Sequence, residues 1–238
     1  NRKRPPVEKF DFITHTVCPI VHAADDISVM ETLESLPSIF ASTRAIIGKA
    51  PYHLGPSGIP CRDNPYGATV APNPDNGRVC LSDVDPRQRG LFAAAWNLGL
   101  FAAAARGKLD AVSLGSATGP QGAISHEGVH PVYHVLAGLG GAGRARRIEA
   151  ESSAPGKIVA FAHQSKSGPV LWLANLTAEK QIAKVNGFSG GAHLHVLDES
   201  SFAALARDPA YISKVGTRVK KVSSLELSAY AVARIGAS

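Results

Sequence analysis

The 238-residue sequence has no run of about 18 uncharged apolar residues, the length a membrane-spanning helix requires. Its greasiest stretch, Leu91 to Ala105, carries Asn97 and Gly99 and is too short to cross a bilayer. Cysteine is scarce. Cys18, Cys61 and Cys80 are odd in number and lack CxxC spacing, which argues against a disulfide framework or a zinc site and fits a reducing, cytoplasmic setting. Met30 is the only methionine, Asn1 is not an initiator, and residues 1–9 have no apolar signal-peptide core. The chain is therefore expected to start inside a longer protein. No GxSxG elbow, P-loop or GxGxxG after a strand occurs, and the glycines of Gly138 to Gly143 follow a predicted helix. Hydride and phosphoryl transfer drop out, and no cofactor is expected.

What is present is the balance of a globular chain: 45% apolar, 18% charged, mean hydropathy +0.01. Net charge is +6 and the sequence pI about 9.3, but the basic residues form small separated groups, Arg2 to Arg4, Arg144 to Arg147 and Lys214 to Lys221. No nucleic-acid-reading motif accompanies them. A mild attraction for an anionic metabolite is the expected consequence, with neither nucleic acid nor membrane as a partner.

Phe10 to Val17 reads as a strand, and Ser28 and Glu31 at capping-box spacing open a helix carrying Met30, Leu33, Leu36 and Phe40. Arg44 to Ala50 reads as a second strand, followed by a loop of about thirty residues rich in Gly, Pro, Asn and Asp, a length that usually signals function. Asp85 as N-cap and Pro86 at the first position open an Ala-rich helix that ends before Gly107, with Arg87 and Arg89 as surface charges. Leu109 to Leu114 is a third strand and Pro131 to Leu139 a third helix. Three βα repeats predict right-handed units and a parallel sheet. An eight-stranded barrel takes about 250 residues, so a barrel reading gives this chain only the last three βα units of a TIM-type (β/α)8 barrel. An open three-stranded α/β sheet is the alternative. After residue 150 the pattern becomes all-β: Lys157 to His163, Pro169 to Leu176, Gln181 to Val185, His193 to Leu197 and Leu225 to Ile235 read as strands, with one helix near Ser200 to Arg207. The predicted division is a barrel portion over 1–150 and a small antiparallel β-sandwich domain over 151–238.

Reactive residues of a parallel barrel sit at the carboxyl ends of its strands. Three regions qualify: His15, Cys18, His22, Asp25 and Asp26; then Lys49, His53, Arg62, Asp63, Asn64, Tyr66, Asp83 and Asp85; then Ser116, Thr118, Gln121 and His126. His15 reads either as a general base or electrophile, a role imidazoles fill near neutral pH, or as a core histidine bonded to a carbonyl. His22 and Asp25 could orient such a base or activate water, while Asp26 reads as a helix cap. His15, His22 and Asp25 match no metal signature, so no metal is expected. Cys18, before Pro19, reads as a small buried hydrophobe. Arg62, Asp63, Asn64, Tyr66 and Gln121 suit a polyhydroxyl substrate, Arg62 also being able to stabilise an oxyanion.

The strings His15 to Leu33 (HTVCPIVHAADDISVMETL), Tyr52 to Ser57 (YHLGPS), Arg62 to Gly67 (RDNPYG) and Asp85 to Phe92 (DPRQRGLF), continued by Gly119-Pro120 and Leu171 to Thr177 (LWLANLT), resemble the D-apionate lactonase family. The resemblance implies a glycoside-hydrolase-like layout: an amino-terminal domain, a central α/β barrel and a carboxyl-terminal β domain. It also implies hydrolysis of a sugar lactone, D-apionolactone, to its acid. That chemistry needs a base, an oxyanion donor and groups for hydroxyls, which His15, His22, Asp25 and His53 as catalytic candidates and the loop residues as binding candidates supply by type. The expected partners are the small lactone and an upstream part of the same polypeptide that completes the barrel. Two other functions compete: a glycoside hydrolase, which needs two carboxylates about 5 to 9.5 Å apart although no glutamate ends the second strand, and a non-catalytic carbohydrate-binding protein.

Overall fold

The computed structural model describes residue 4 and residues 6–67, 69–188 and 190–237. Asn1, Arg2 and Lys3, and with them most of the first basic group, lie outside the described residues. Strand β1 (Ile13–His15) is shorter than its apolar run suggests, because Phe12 stacks on His53 at 4.1 Å between ring centroids and Phe10 stays in solvent. Helix α1 (Asp26–Ile47) begins one residue after Asp25, whose carboxylate accepts the Ser28 backbone N–H at 2.9 Å. Asp25, not Ser28, is therefore the N-cap. At the other end α1 absorbs the segment read as the second strand. Val29, Leu36, Phe40 and Ile47 recur on one buried helical stripe, and a short apolar run such as Ala45 to Ile47 cannot be told from a helix end by periodicity.

The true second strand is β2 (Tyr52–Ser57), which pairs in parallel with β1 and with β3 (Ala111–Leu114) in the order β1-β2-β3. Gly55 permits the close β2–β3 approach at a register shift between Leu54 and Ser57. It has φ +117°, and a Cβ added there would stand 2.1 Å from the Ser113 carbonyl oxygen. Gly55→Ala is expected to destabilise the chain by more than about 1 kcal/mol, read by urea unfolding; an unchanged midpoint would mean that β2 and β3 separate freely.

Between β2 and β3 lies α2 (Leu91–Arg106), preceded by a 3-10 turn, Pro86–Arg89, that Asp85 caps by accepting the Arg87 backbone N–H at 2.9 Å. Gly90 separates the turn from α2, so the predicted helix is two elements. Helix α2 is buried on nearly every side, as its Ala-rich low polarity implies. After β3 come a two-residue hairpin, β4 (Ile124–Ser125) and β5 (Gly128–Val129), and helix α3 (Pro131–Gly141).

The remainder is antiparallel. Strands β6 (Arg147–Ile148), β7 (Ile158–Ser165), β8 (Gly168–Asn175), β10 (Ala192–Leu197), β11 (Thr217–Val219) and β13 (Val232–Ala237) form one sheet in the order β11-β10-β13-β8-β7-β6. Strands β9 (Gln181–Lys184) and β12 (Ser224–Leu227) form a second, with α4 (Phe202–Arg207) between β10 and β11. Leu225 to Ile235 is not one strand: Tyr230 at φ +55° breaks it, and the buried Asn175 amide donates to the Leu227, Ser228 and Glu179 carbonyls at the break. Strand β6 starts on the last residue of the Arg144 to Arg147 run and β11 falls within the Lys214 to Lys221 run, where charge hides a strand pattern.

One core joins the helices to the first face of the large sheet, with Trp96 and Leu98 in the same cluster as Phe161, Trp172 and Val232. A second core fills the space between the sheets around Leu173, Leu227 and Ile235. No helix among the described residues is long and apolar enough to cross a membrane.

Candidate functional site

Register decides which way each strand residue faces. Thr14 pairs with His53 and His53 with Ala111, while His15 pairs with Leu54. Thr14, His53 and Ser113 thus share the open face of the sheet, and His15, Tyr52 and Leu54 face the helices. His15 ends β1 at the carboxyl end, with Nε2 2.6 Å from the Tyr52 hydroxyl, Nδ1 3.1 Å from the Thr16 carbonyl and its ring tilted against Phe40. Burial raises the Tyr52 hydroxyl above its ordinary pKa. His53 lies near the amino end of β2, about 13 Å of strand from Ser57 at the other end.

The loops after β1 and β2 meet where the Tyr66 hydroxyl comes within 3.4 Å of His22 Nδ1, both side chains being exposed. Arg62 and Asp63 are exposed beside them in sequence, and Asn64 shapes the turn by accepting the Tyr66 N–H at 2.9 Å and donating to the Thr69 carbonyl at 3.1 Å. Gln121, from the loop after β3, donates to the Pro60 carbonyl at 2.8 Å and so ties the third loop to the second. Ser57, at the carboxyl end of β2, accepts the Val17 N–H at 3.0 Å and ties the second loop to the first.

These bonds bring His15 to Tyr52, His22 to Tyr66 and Gln121 to Pro60. None joins any two of His15, His22, Asp25 and His53 among the described residues. Asp25 is occupied as the α1 cap, and the hydrogen bonds from Ser28 hold its carboxyl below the usual range. Cys18 is withdrawn from chemistry: burial, with the neighbouring Cys61 adding to it, pushes its thiol up to about 12. A groove of about 1130 Å³ between α1, α2 and the 155–179 region is lined by Asp25 and Asp26, and by none of the histidines or of the residues named in the second and third loops.

Sequence reasoning missed a charged cluster under the loops. Asp26 is no cap: it takes a two-pronged contact from Arg78, Nε to Oδ1 and Nη2 to Oδ2 at 2.7 Å each, and a third from Arg87 at 3.0 Å. Arg87 is no surface charge either. It is buried and forks onto the fully buried Asp85 at 2.9 and 2.6 Å. Only the DPRQR string hinted at this, since an Asp and an Arg two residues apart can fold onto each other. Burial opposes ionisation of Asp26, but the hydrogen bonds and charges of Arg78 and Arg87 outweigh it and hold the carboxyl below the ordinary value. A carboxyl depressed on folding adds stability above its unfolded pKa of about 4, lost as pH falls through the lower folded value. Asp26→Asn is therefore expected to be less stable at pH 7 and to lose less than the parent between pH 4 and 2. Equal acid sensitivity of the two in far-UV circular dichroism would remove Asp26 from that role.

A parallel α/β sheet with helices behind it, polar loops at its carboxyl end and an antiparallel β unit packed on its helices is the layout of glycoside-hydrolase-like barrel proteins. Family models agree at both ends: D-apionate lactonase, TIM barrel domain, matches residues 1–144, and D-apionate lactonase, C-terminal immunoglobulin-like domain, matches 155–235. The chain belongs to the D-apionate lactonase family. It is 39% identical over 196 residues to a D-apionate lactonase of Brucella anthropi, an alignment covering 79% of this chain and 32% of that one. The chain thus spans about a third of the length of that relative. Among solved structures, a family 51 alpha-L-arabinofuranosidase from Bifidobacterium longum superposes with TM-score 0.57 and 11% identity, covering 96% of this chain and 54% of the other. An endoxylanase of glycoside hydrolase family 30 from Clostridium papyrosolvens gives TM-score 0.52 and 13% identity over 98% and 50%. At such identities these two likenesses speak to fold alone.

Proposed function

We propose that residues 1–150 are the last three βα units of a (β/α)8 barrel, completed by upstream segments of the same polypeptide, that residues 151–238 are its carboxyl-terminal β domain, and that the assembled enzyme opens a sugar lactone, D-apionolactone, to D-apionate. Two features support the barrel reading: β1 and β3 each pair only with β2 among the described residues, and Thr14, Ala111 and Ser113 on one face of that sheet are exposed. The observation that carries the functional reading is the meeting of polar loops at the carboxyl ends of three parallel strands, where His22 and Tyr66 touch. His22 takes a proton from water as the water oxygen attacks the lactone carbonyl carbon. Arg62 stabilises the tetrahedral oxyanion, and Tyr66 and Asp63 hold sugar hydroxyls. The ring C–O bond then breaks, the leaving oxygen regains the proton, and a hydroxy acid ionises.

His15 serves in this scheme by fixing Tyr52 and the end of β1, and His53 lines the barrel interior below the loops. A glycoside hydrolase needs paired carboxylates across the scissile bond. Strand β2 ends in Ser57, and no glutamate occurs between it and Asp85, which favours lactone opening. The deciding experiment is a pH-stat assay of the intact polypeptide offered D-apionolactone, other aldonolactones and, separately, aryl glycosides. Acid release from the lactone above the spontaneous rate is expected; silence on every lactone together with turnover of a glycoside would replace this reading with glycoside hydrolysis.

A further inference from the structure

The face of the large sheet turned toward α3 carries a half-buried guanidinium with no carboxylate beside it, next to side chains whose polar atoms are fully buried. Register sets His195, Arg234, Trp172 and Phe161 side by side across β10, β13, β8 and β7, and His193, Gly236, Val170 and His163 in the next row. Arg234 forms no hydrogen bond or ion pair among the described residues, its guanidinium carbon lies 6.0 Å from the Trp172 ring centroid, and partial burial lowers its guanidinium below the ordinary value. Its neighbours are unpaired as well. Trp172 Nε1 and both ring nitrogens of His163 are buried without a partner, although Trp172 is fully buried and His163 is 5% exposed. His195, on the other side of Arg234, already gives Nε2 to the Lys214 carbonyl at 3.0 Å and leaves Nδ1 unpaired.

Folded chains rarely leave several buried polar atoms unmet in one place, because each buried unpaired group is costly. The buried unmet groups include two donors, the indole N–H of Trp172 and one N–H of His163, and the solvent-accessible fork of Arg234 stands beside them. Gly236, between the two histidine columns, puts no side chain over the guanidinium, which lies 3.8 Å from where its Cβ would be. The six-membered edge of Trp172 is pressed on Gly138 of α3, where an added Cβ would come within 2.6 Å, so the indole is held between helix and sheet.

We propose that Arg234, His163 and Trp172 form a seat for a small oxyanion, a carboxylate or phosphate, between the large sheet and α3. The anion would accept from the guanidinium fork and from the indole and imidazole N–H groups, and the chain's charge of +6 favours its approach. The seat lies behind the helices, apart from the loops at the carboxyl ends of β1 to β3.

The test uses the full chain labelled with 15N-tryptophan, titrated with inorganic phosphate and, separately, with acetate at constant ionic strength set by chloride. Two indole signals arise, from Trp96 and Trp172, and Trp172→Phe assigns them. Trp96 donates to Thr32 Oγ1 at 3.2 Å and serves as the internal control. The Trp172 indole signal is expected to move saturably while Trp96 stays fixed, and whichever of the two anions saturates identifies the ligand class. Arg234→Met is expected to weaken that binding at least tenfold with the Trp96 signal retained; should it unfold, His163→Phe takes its place with the same expected weakening. A Trp172 signal that stays still or drifts linearly with both anions, or a saturable shift that survives the folded variant, would overturn the proposal.

Discussion

Replacing Arg87 with alanine is expected to lower the unfolding free energy by about 3–5 kcal/mol, the usual cost of stripping one partner from a buried ion pair. Asp85 has no exposed side-chain surface, and apart from the Arg87 backbone N–H its carboxylate contacts are those from the Arg87 fork. Without the fork, a charge remains buried with one neutral donor. The same change leaves Asp26 to Arg78 alone and loosens the join between the start of α1 and the turn before α2. Removing both charges is a milder change, because apolar groups of similar volume fill the site without a stranded ion. Arg87→Met with Asp85→Leu is therefore expected to recover more than half of the loss. Urea unfolding of the parent, the single variant and the double variant measures both quantities, and a single-variant loss below about 1 kcal/mol would show that the pair is solvated in practice.

The second large effect belongs to activity. His22→Ala is expected to reduce lactone turnover about 10²- to 10⁴-fold, the usual contribution of a positioned base, with little change in melting temperature because the side chain is exposed. Tyr66→Phe retains the ring that meets His22 edge-on and deletes only the hydroxyl. Its expected mark is a rise in KM with kcat nearly intact. His15→Ala makes the useful contrast: it unpairs the buried Tyr52 hydroxyl and should cost stability first. Full turnover by His22→Ala would transfer the base role to a residue outside this chain or to another loop.

How much of this was legible differs element by element. Helix α2, α3 and the β7–β8 hairpin follow from local signals: an Ala-rich body closed by Gly107, a Pro at the first helical position, and alternation around the turn before Gly168. Strand β2 was missed because its own residues argue against it. Gly55 and Pro56 are turn formers, and only the parallel neighbours on both sides hold them extended. The adjoining Ala45 to Ile47 looked more strand-like and finished a helix. At the site, residue types in the three loops were readable, but their pairings were not. His22 and Tyr66 are 44 residues apart and Arg87 and Asp26 are 61 apart. A charge right after a proline reads as surface until a carboxylate from elsewhere arrives to bury it.

Helix α2 packs against α1, α3 and the sheet face that holds Phe161 and Trp172, with Phe101 meeting Phe161 edge-on at 5.1 Å. Opening either half of the chain therefore exposes the same apolar cylinder. The two regions matched by separate family models should melt in one calorimetric transition, and the amides of Ala93 to Ala104 should exchange with solvent only when the whole molecule opens.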